Sequence, residues 1–267
     1  MTADPRVAPA RAGRPLAVAA AVLGAGHAGP AVTAVGGFRR VFLPGLAGAG
    51  RPDHVALTFD DGPDAASTPA FLAALDRLGW RATFFMLGRM VDRHRSLAGE
   101  VAAAGHEIAL HGYEHVSHLR RVPGRVRDDL ERGVDVIAAA TGRSPVWFRP
   151  PYGLISGGSY RAARRLGLRT VLWTAWGRDW TATATPSSVV ADVARGLRPG
   201  GTVLLHDSDC TSAPGAWRAT LGALPRLADL FAASGVAVGP LADHDVGGGG
   251  GLGGGGDLGG AGRPGRR

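Results

Sequence analysis

Two carboxylates stand side by side in Leu57-Thr58-Phe59-Asp60-Asp61-Gly62-Pro63, at the end of an apolar run that leads into a turn. Adjacent acids repel, and a divalent cation bound by one of them would relieve that repulsion and leave the other free to move protons. Asp-Gly-Pro is also an ordinary turn signal, so the pair alone does not separate a metal site from an exposed turn. His111-Gly112-Tyr113-Glu114-His115 sets two imidazoles four apart. That spacing is expected to place both on one face of a helical turn, where they can grip one ion. With Asp61 they complete a His, His, Asp set that leaves a position for water, and zinc in such a site lowers the pKa of its water from about 15.7 to about 7. The same stretch fits the HxxEH order of a zinc peptidase in which Glu114 would be the base. That alternative leaves Asp60, Arg149 and His206 without a task. His94 and His118 are assigned to solvent or to supporting roles.

Phe148-Arg149-Pro150-Pro151-Tyr152-Gly153 is a rigid turn directly after an apolar pair. A guanidinium there can orient a carboxylate by bidentate hydrogen bonding, and Asp60 is its natural partner; an ordinary ion pair capping the fold is the simpler alternative. Trp176-Gly177-Arg178-Asp179-Trp180 offers a carboxylate between indoles, and Leu204-Leu205-His206-Asp207 a histidine closing an apolar strand. Such a histidine can be a satisfied core group, or, with a carboxylate beside it, a protonated general acid.

These residues need a scaffold, and the chain from Asp53 to about Leu241 alternates short apolar runs with longer amphipathic ones. Strands are expected at 55–59, 82–87, 107–110, 146–148, 169–173, 202–205 and 236–238. Helices are expected at 68–78, from after Leu87 through Ala104, and at 123–141, 159–166, 186–197 and 221–233. Strict alternation implies an α/β fold of parallel strands joined by crossover helices, either a (β/α) barrel or an open doubly wound sheet. Asp60 and Asp61, His111, Arg149, Asp179 and His206 all follow strand ends, and residues from so many strands meet only if the strands curl into a ring. The segment is shorter than the roughly 250 residues of a complete barrel, which points to a reduced or incomplete ring.

Residues 1–52 form an N-terminal extension. Arg11 and Arg14 precede an apolar stretch from Leu16 to Val35 that is interrupted by Gly24, His27, Gly29 and Pro30. It reads either as a secretory signal, which would send the protein to the cell envelope or outside, or as a helix packed on the domain, which would leave it cytoplasmic. Its uninterrupted part is too short for a membrane span, so membrane association stays open. Residues 242–267 form a Gly-rich tail that cannot bury a core. The chain has no Lys, Asn or Gln, and all 30 basic residues are Arg, giving a net charge of +8. These arginines are scattered among acids with no aromatic-studded stripe, which argues against a nucleic-acid partner. The single Cys210 excludes an internal disulfide framework and a cysteine zinc site.

The segment from Val55 to about Leu241 resembles the polysaccharide deacetylase family, the NodB-like domain of carbohydrate esterase family 4. Five motifs occur in family order: Thr58 to Pro63, His111 to His115, Arg149 to Gly153, Asp179-Trp180, and Leu204 to Asp207. The resemblance implies a distorted, reduced (β/α)7 barrel that hydrolyses N-acetyl or O-acetyl groups on carbohydrate such as peptidoglycan or chitin. It implies Asp60 as base, Asp61, His111 and His115 as metal ligands, and His206 as acid. It further implies that Arg149 orients the base, Asp179 tunes the acid, the Tyr152 backbone amide holds the oxyanion, and Leu204, Trp180 and Pro151 shape the acetyl pocket. The metal is expected to be zinc, with cobalt or nickel as alternatives. The partner is an acetylated glycan, and no protein partner is expected. One departure is Gly112, where the family usually has Ser or Thr, which removes a hydroxyl that braces the metal loop. A non-catalytic glycan-binding domain is the remaining alternative, and intact ligands, acid and base argue against it.

Overall fold

The computed structural model describes residues 13–247. Arg11, ahead of the apolar stretch, and residues 248–267 of the expected 242–267 tail lie outside the described residues. The first part of that tail is folded rather than loose: His244 is buried against His54 and the Gly200 carbonyl, and Val246 packs among the inward-facing core residues, contacts with distant elements that local composition does not announce. Eight strands, β1 (His54–Asp60), β2 (Thr83–Met86), β3 (Glu107–Leu110), β4 (Trp147–Phe148), β5 (Arg169–Thr170), β6 (Ala175–Trp176), β7 (Thr202–His206) and β8 (Ala237–Gly239), make one sheet. Every pairing is parallel, in the order β5-β4-β3-β2-β1-β7-β6, and β8 pairs with the first residues of β1. Helices α1 (Gly13–Ala28) and α2 (Gly36–Phe42) precede the sheet. The others are α3 (Thr68–Arg77), α4 (Gly88–Arg93), α5 (Arg95–Ala103), α6 (Pro123–Thr141), α7 (Gly157–Arg165), α8 (Pro186–Gly196) and α9 (Trp217–Ala233). The helix expected after Leu87 is two, because His94 leaves helical geometry at φ −132° and ψ 50°.

All seven residues of β1 are buried, as in a parallel strand covered on both faces. The period-two alternation of a strand then sorts the side chains. Leu57, Phe59, Phe84, Ile108, Leu110, Phe148, Val203 and Leu205 face the helices, where Phe59 stacks on Phe84 with ring centroids 5.2 Å apart and meets the edge of Phe71 from α3 at 5.3 Å. The opposite parity, Ala56, Phe85, Ala109, Trp147 and Val171, packs inside the curl. Carried to the carboxyl ends of the strands, that inner parity reaches Asp60, His111, Arg149 and His206. The mouth of the curl is therefore where the polar residues gather.

The strand expected at 169–173 forms only over Arg169–Thr170 as β5, and a further short strand, β6, follows at Ala175–Trp176. β5 pairs with β4 and β6 with β7, while the residues between them cross the seam that no ladder closes. There the Val171 N–H donates to the Phe148 carbonyl, the Thr174 N–H to that of Thr202, and the Leu172 N–H to that of Leu46 from the N-terminal extension. The extension runs along this seam as a strap. At one end Gly26 lies so close to Gly157 that a Cβ there would sit 2.0 Å from its carbonyl oxygen, and at the other the Thr202 hydroxyl donates to the Gly48 carbonyl at 2.6 Å. Between them Arg39 turns inward, buried, and donates to the carbonyls of Thr33 (3.2 Å), Ala34 (3.0 Å) and Trp173 (2.8 Å). Burial, with Arg40 and Arg149 nearby, brings its pKa down to about 10. Among the described residues no helix is long and apolar enough to cross a membrane.

Candidate active site

Asp60 is the last inward residue of β1. By alternation its neighbour should face away, but Asp61 takes a left-handed conformation, φ 81°, that turns the second carboxylate back into the same mouth. Arg149 Nη1 donates to Asp60 Oδ1 at 2.6 Å and to the Thr58 hydroxyl at 2.9 Å, while Nη2 donates to the Leu172 carbonyl at 3.0 Å. The expected bidentate clamp is thus a single hydrogen bond, because the second arm of the fork holds the seam. Burial raises the pKa of Asp60 to about 6, against the opposing pull of Arg149 and His206.

His111 and His115 meet Asp61 through a loop. The expected helical turn does not form, since Gly112 adopts φ +95° and residues 111–117 carry no helix. His111 Nδ1 lies 2.8 Å from the Arg149 carbonyl, which fixes Nδ1 as the protonated nitrogen and leaves the Nε2 lone pair free. His111 Nε2 and His115 Nε2 lie 3.6 and 3.7 Å from Asp61 Oδ1, and one donor atom from each residue falls within 4.8 Å of the others. Ligands about 2.1 Å from one tetrahedral ion sit about 3.4 Å apart. Asp61 Oδ1 is buried without a hydrogen-bond partner, and burial lowers the pKa of both imidazoles, most strongly at His111. Neutral imidazoles and an orphaned carboxylate oxygen are the donor set a divalent ion requires. The other oxygen of Asp61 accepts from the Thr211 hydroxyl.

The bracing hydroxyl absent at position 112 has a substitute. Asp129, buried on α6, accepts from the Tyr113 N–H at 2.9 Å, the Glu114 N–H at 3.2 Å and Arg121 Nη1 at 2.7 Å. Its Oδ2 would stand 3.1 Å from a Cβ at Gly112, so this carboxylate fills the space beside the loop. His118 is fully buried near it, 3.8 Å from Asp129 Oδ2 and stacked on Phe148.

His206, at the end of β7, is gripped by Asp179. Its Nδ1 lies 2.9 Å from Oδ1, its backbone N–H donates to Oδ2 at 2.7 Å, and the Thr220 hydroxyl from α9 donates to Oδ2 at 2.6 Å. Burial opposes the imidazolium, but the charge and hydrogen bond of Asp179, with Asp61 and Asp60 beyond, carry the His206 pKa up to about 10.

These groups line a cleft of about 270 Å³ bounded by Tyr152, Trp173, Trp176, Trp180, Leu204 and Thr211. Trp180 stands edge-on to His206 at 5.7 Å and packs against Trp176 at 5.1 Å. Pro151 is buried in its turn and does not reach the cleft wall, because Pro150 and Pro151 carbonyls accept from Gly153 and Leu154 and fold the segment tightly. Glu114 likewise does not line the cleft. Thr211, Thr220, Asp129 and Trp173 carry no signal in the motifs, and Trp176, seen there only as an indole flanking Asp179, also walls the cleft. The two tryptophans share the indole-rich stretch with Trp180 and were findable there, whereas the threonines and Asp129 arrive through tertiary packing that no local pattern announces.

A family model described as polysaccharide deacetylase matches residues 47–171. A peptidoglycan-N-acetylglucosamine deacetylase of Bacillus cereus is 36% identical over 155 residues, 57% of this chain and 72% of that protein. The chain belongs to the polysaccharide deacetylase family. A solved family 4 carbohydrate esterase from Streptomyces lividans, in complex with acetate, is 33% identical with a TM-score of 0.63, covering 70% of this chain and 92% of the esterase. A family 4 pseudoenzyme from Bacillus anthracis is 27% identical with a TM-score of 0.65, over 73% of this chain and 66% of the pseudoenzyme. Polysaccharide deacetylases are metal-dependent hydrolases, and the parallel curled sheet described above is their reduced (β/α)7 barrel. Because the family also contains a pseudoenzyme, the intactness of the site in this polysaccharide deacetylase matters. Asp60, Asp61, His111, His115 and His206 converge on one mouth, and the loop geometry around Glu114 removes the zinc-peptidase alternative.

Proposed function

We propose that the chain hydrolyses the acetamide of N-acetylglucosamine units in a glycan, peptidoglycan or a chitin-type oligomer, with zinc held by Asp61, His111 and His115. The observation that carries this reading is the facing of Asp60 and His206 beside the three-residue donor cluster, in a cleft walled by three indoles. A bound divalent ion would polarise the acetyl carbonyl and acidify a water. Asp60, ionised above about 6 and oriented by Arg149, accepts the proton of the attacking water. The backbone N–H of Tyr152 donates to the developing oxyanion. His206, held protonated by Asp179, gives its proton to the departing amine. Leu204 and Trp180 enclose the acetyl methyl, and the remaining indole faces accept the sugar ring.

The test is acetate release from chitin oligosaccharides, peptidoglycan and acetylxylan by protein stripped of metal and reloaded with zinc, cobalt or nickel. Release from the N-acetyl substrates, dependent on the metal and abolished in Asp60→Asn, supports the reading. Release from acetylxylan alone overturns the N-acetyl assignment, and no release from any of them with metal bound overturns the function.

A further inference from the structure

The strap that closes the barrel seam is amphipathic in the inverted sense. An ordinary surface helix turns its arginines to water and its phenylalanines to the core. Here Arg39 is buried against Trp173, while Val35, Phe38, Val41 and Phe42, spaced at three and four residues and so on one face, point outward. Val41 is 71% exposed and Phe42 67%, and the rings of Phe38 and Phe42 pair at 5.0 Å. Eight of the twelve large apolar or tyrosine side chains exposed among the described residues fall between Val22 and Leu43. Scattered exposed apolar residues need no explanation, but a patch confined to one segment marks a contact surface.

Charge selects the occupant. The chain carries no carboxylate between Asp4 and Asp53, and Arg40, beside the exposed apolar residues, is itself exposed, within a protein of net charge +8. A second copy docking through the same face would form an isologous interface and set these acid-free segments against each other. An anionic lipid surface accepts both features, taking the apolar side chains into the headgroup boundary while its charge attracts Arg40 and the positively charged protein as a whole. We propose that the outer face of the strap, centred on Phe38, Val41 and Phe42, docks the enzyme on anionic phospholipid bilayers as a peripheral, non-spanning contact.

The full-length protein is floated with vesicles of phosphatidylglycerol and phosphatidylcholine, and with phosphatidylcholine alone, across a salt series. The expected result is binding to the anionic vesicles that exceeds binding to the zwitterionic ones by about tenfold or more and weakens with salt. Val41→Asp combined with Phe42→Asp should reduce it at least about tenfold. Both side chains are exposed, so melting temperature and acetate release from a soluble oligosaccharide should be unchanged in the variant. Absence of binding to anionic vesicles overturns the proposal, as does equal binding by the variant. A wild-type dimer in sedimentation that the double substitution converts to monomer would assign the face to a second copy and also overturn it.

Discussion

Asp60 and His206 are register partners on β1 and β7, so the proposed base and the proposed acid stand at the same level of one parallel ladder, about 4.8 Å apart along the hydrogen-bonding direction. Their proposed roles are opposite because their surroundings are: burial lifts the Asp60 pKa, whereas at His206 the charge and hydrogen bond of Asp179, with Asp61 and Asp60, together outweigh burial. Asp60→Asn and His206→Ala should each lower kcat by about 10² to 10⁴ while metal content stays at the wild-type level. The double variant should lose less than the product of the two effects, since the residues serve one transition state. Metal analysis beside steady-state kinetics checks both statements.

The two protonation states set a pH window. In the proposed mechanism Asp60 acts ionised, so activity should rise with pH through about 6, and His206 acts protonated, so activity should fall through about 10. Stability follows the same histidine. Its folded pKa lies above the ordinary 6.5, so the His206–Asp179 pair stabilises fully below about 6.5 and loses its contribution as pH rises through about 10. Asp179→Asn should therefore lower the melting temperature more at pH 6 than at pH 10.

Thr211 has no contact with a reacting atom in the proposed mechanism, yet its hydroxyl fixes Oδ2 of Asp61 and so orients the unpartnered Oδ1. Thr211→Val should weaken metal affinity by about 10- to 100-fold, and His115→Ala should abolish stoichiometric binding. The visible absorption of the cobalt-loaded protein, titrated with a competing chelator, reads both without recourse to turnover.

Asp129 holds the loop that carries two ligands. Asp129→Ala strands the Tyr113 and Glu114 N–H groups and leaves Arg121 unpaired, at a cost of about 1–3 kcal/mol for each buried group left without a partner. A lower melting temperature and a weaker cobalt affinity are expected together. Asp129→Asn, which keeps an acceptor of the same shape, should recover part of both.

The seam makes a prediction about length. A chain beginning at Asp53, where strand and helix alternation starts, leaves the Leu172 N–H and the Trp173 and Thr202 ends of the seam without Leu46, Arg39 and Gly48. Such a chain should melt lower than the full-length protein and, because Trp173 walls the cleft, show a raised KM.

The alternation of strands and helices and the polar residues at strand ends were readable in the sequence, whereas the sheet order, β5-β4-β3-β2-β1-β7-β6, and the inward parity of those residues come from the structure. Asp60, Arg149 and His206 are placed by that parity alone. The loop from His111 to His115 was read as a helical turn because spacing cannot distinguish a helix from a chain reversed by a left-handed Gly112. The early end of the fifth expected strand was hidden for another reason: its partner across the seam is Leu46, more than 120 residues away. Thr220, Thr211 and Asp129 share that condition, each being a single donor or acceptor delivered by a distant element.

Tyr152 has a left-handed backbone, φ 61°, and its ring leans on His115 at 4.5 Å while remaining 59% exposed at the mouth of the cleft. In the proposed mechanism only its peptide N–H meets the reacting atoms. The ring instead touches the proposed ligand His115, so substitutions at 152 should act through the mouth and the seating of that imidazole rather than through the proposed oxyanion donor itself. Any such substitution must also hold the positive φ of this position, which disfavours β-branched residues.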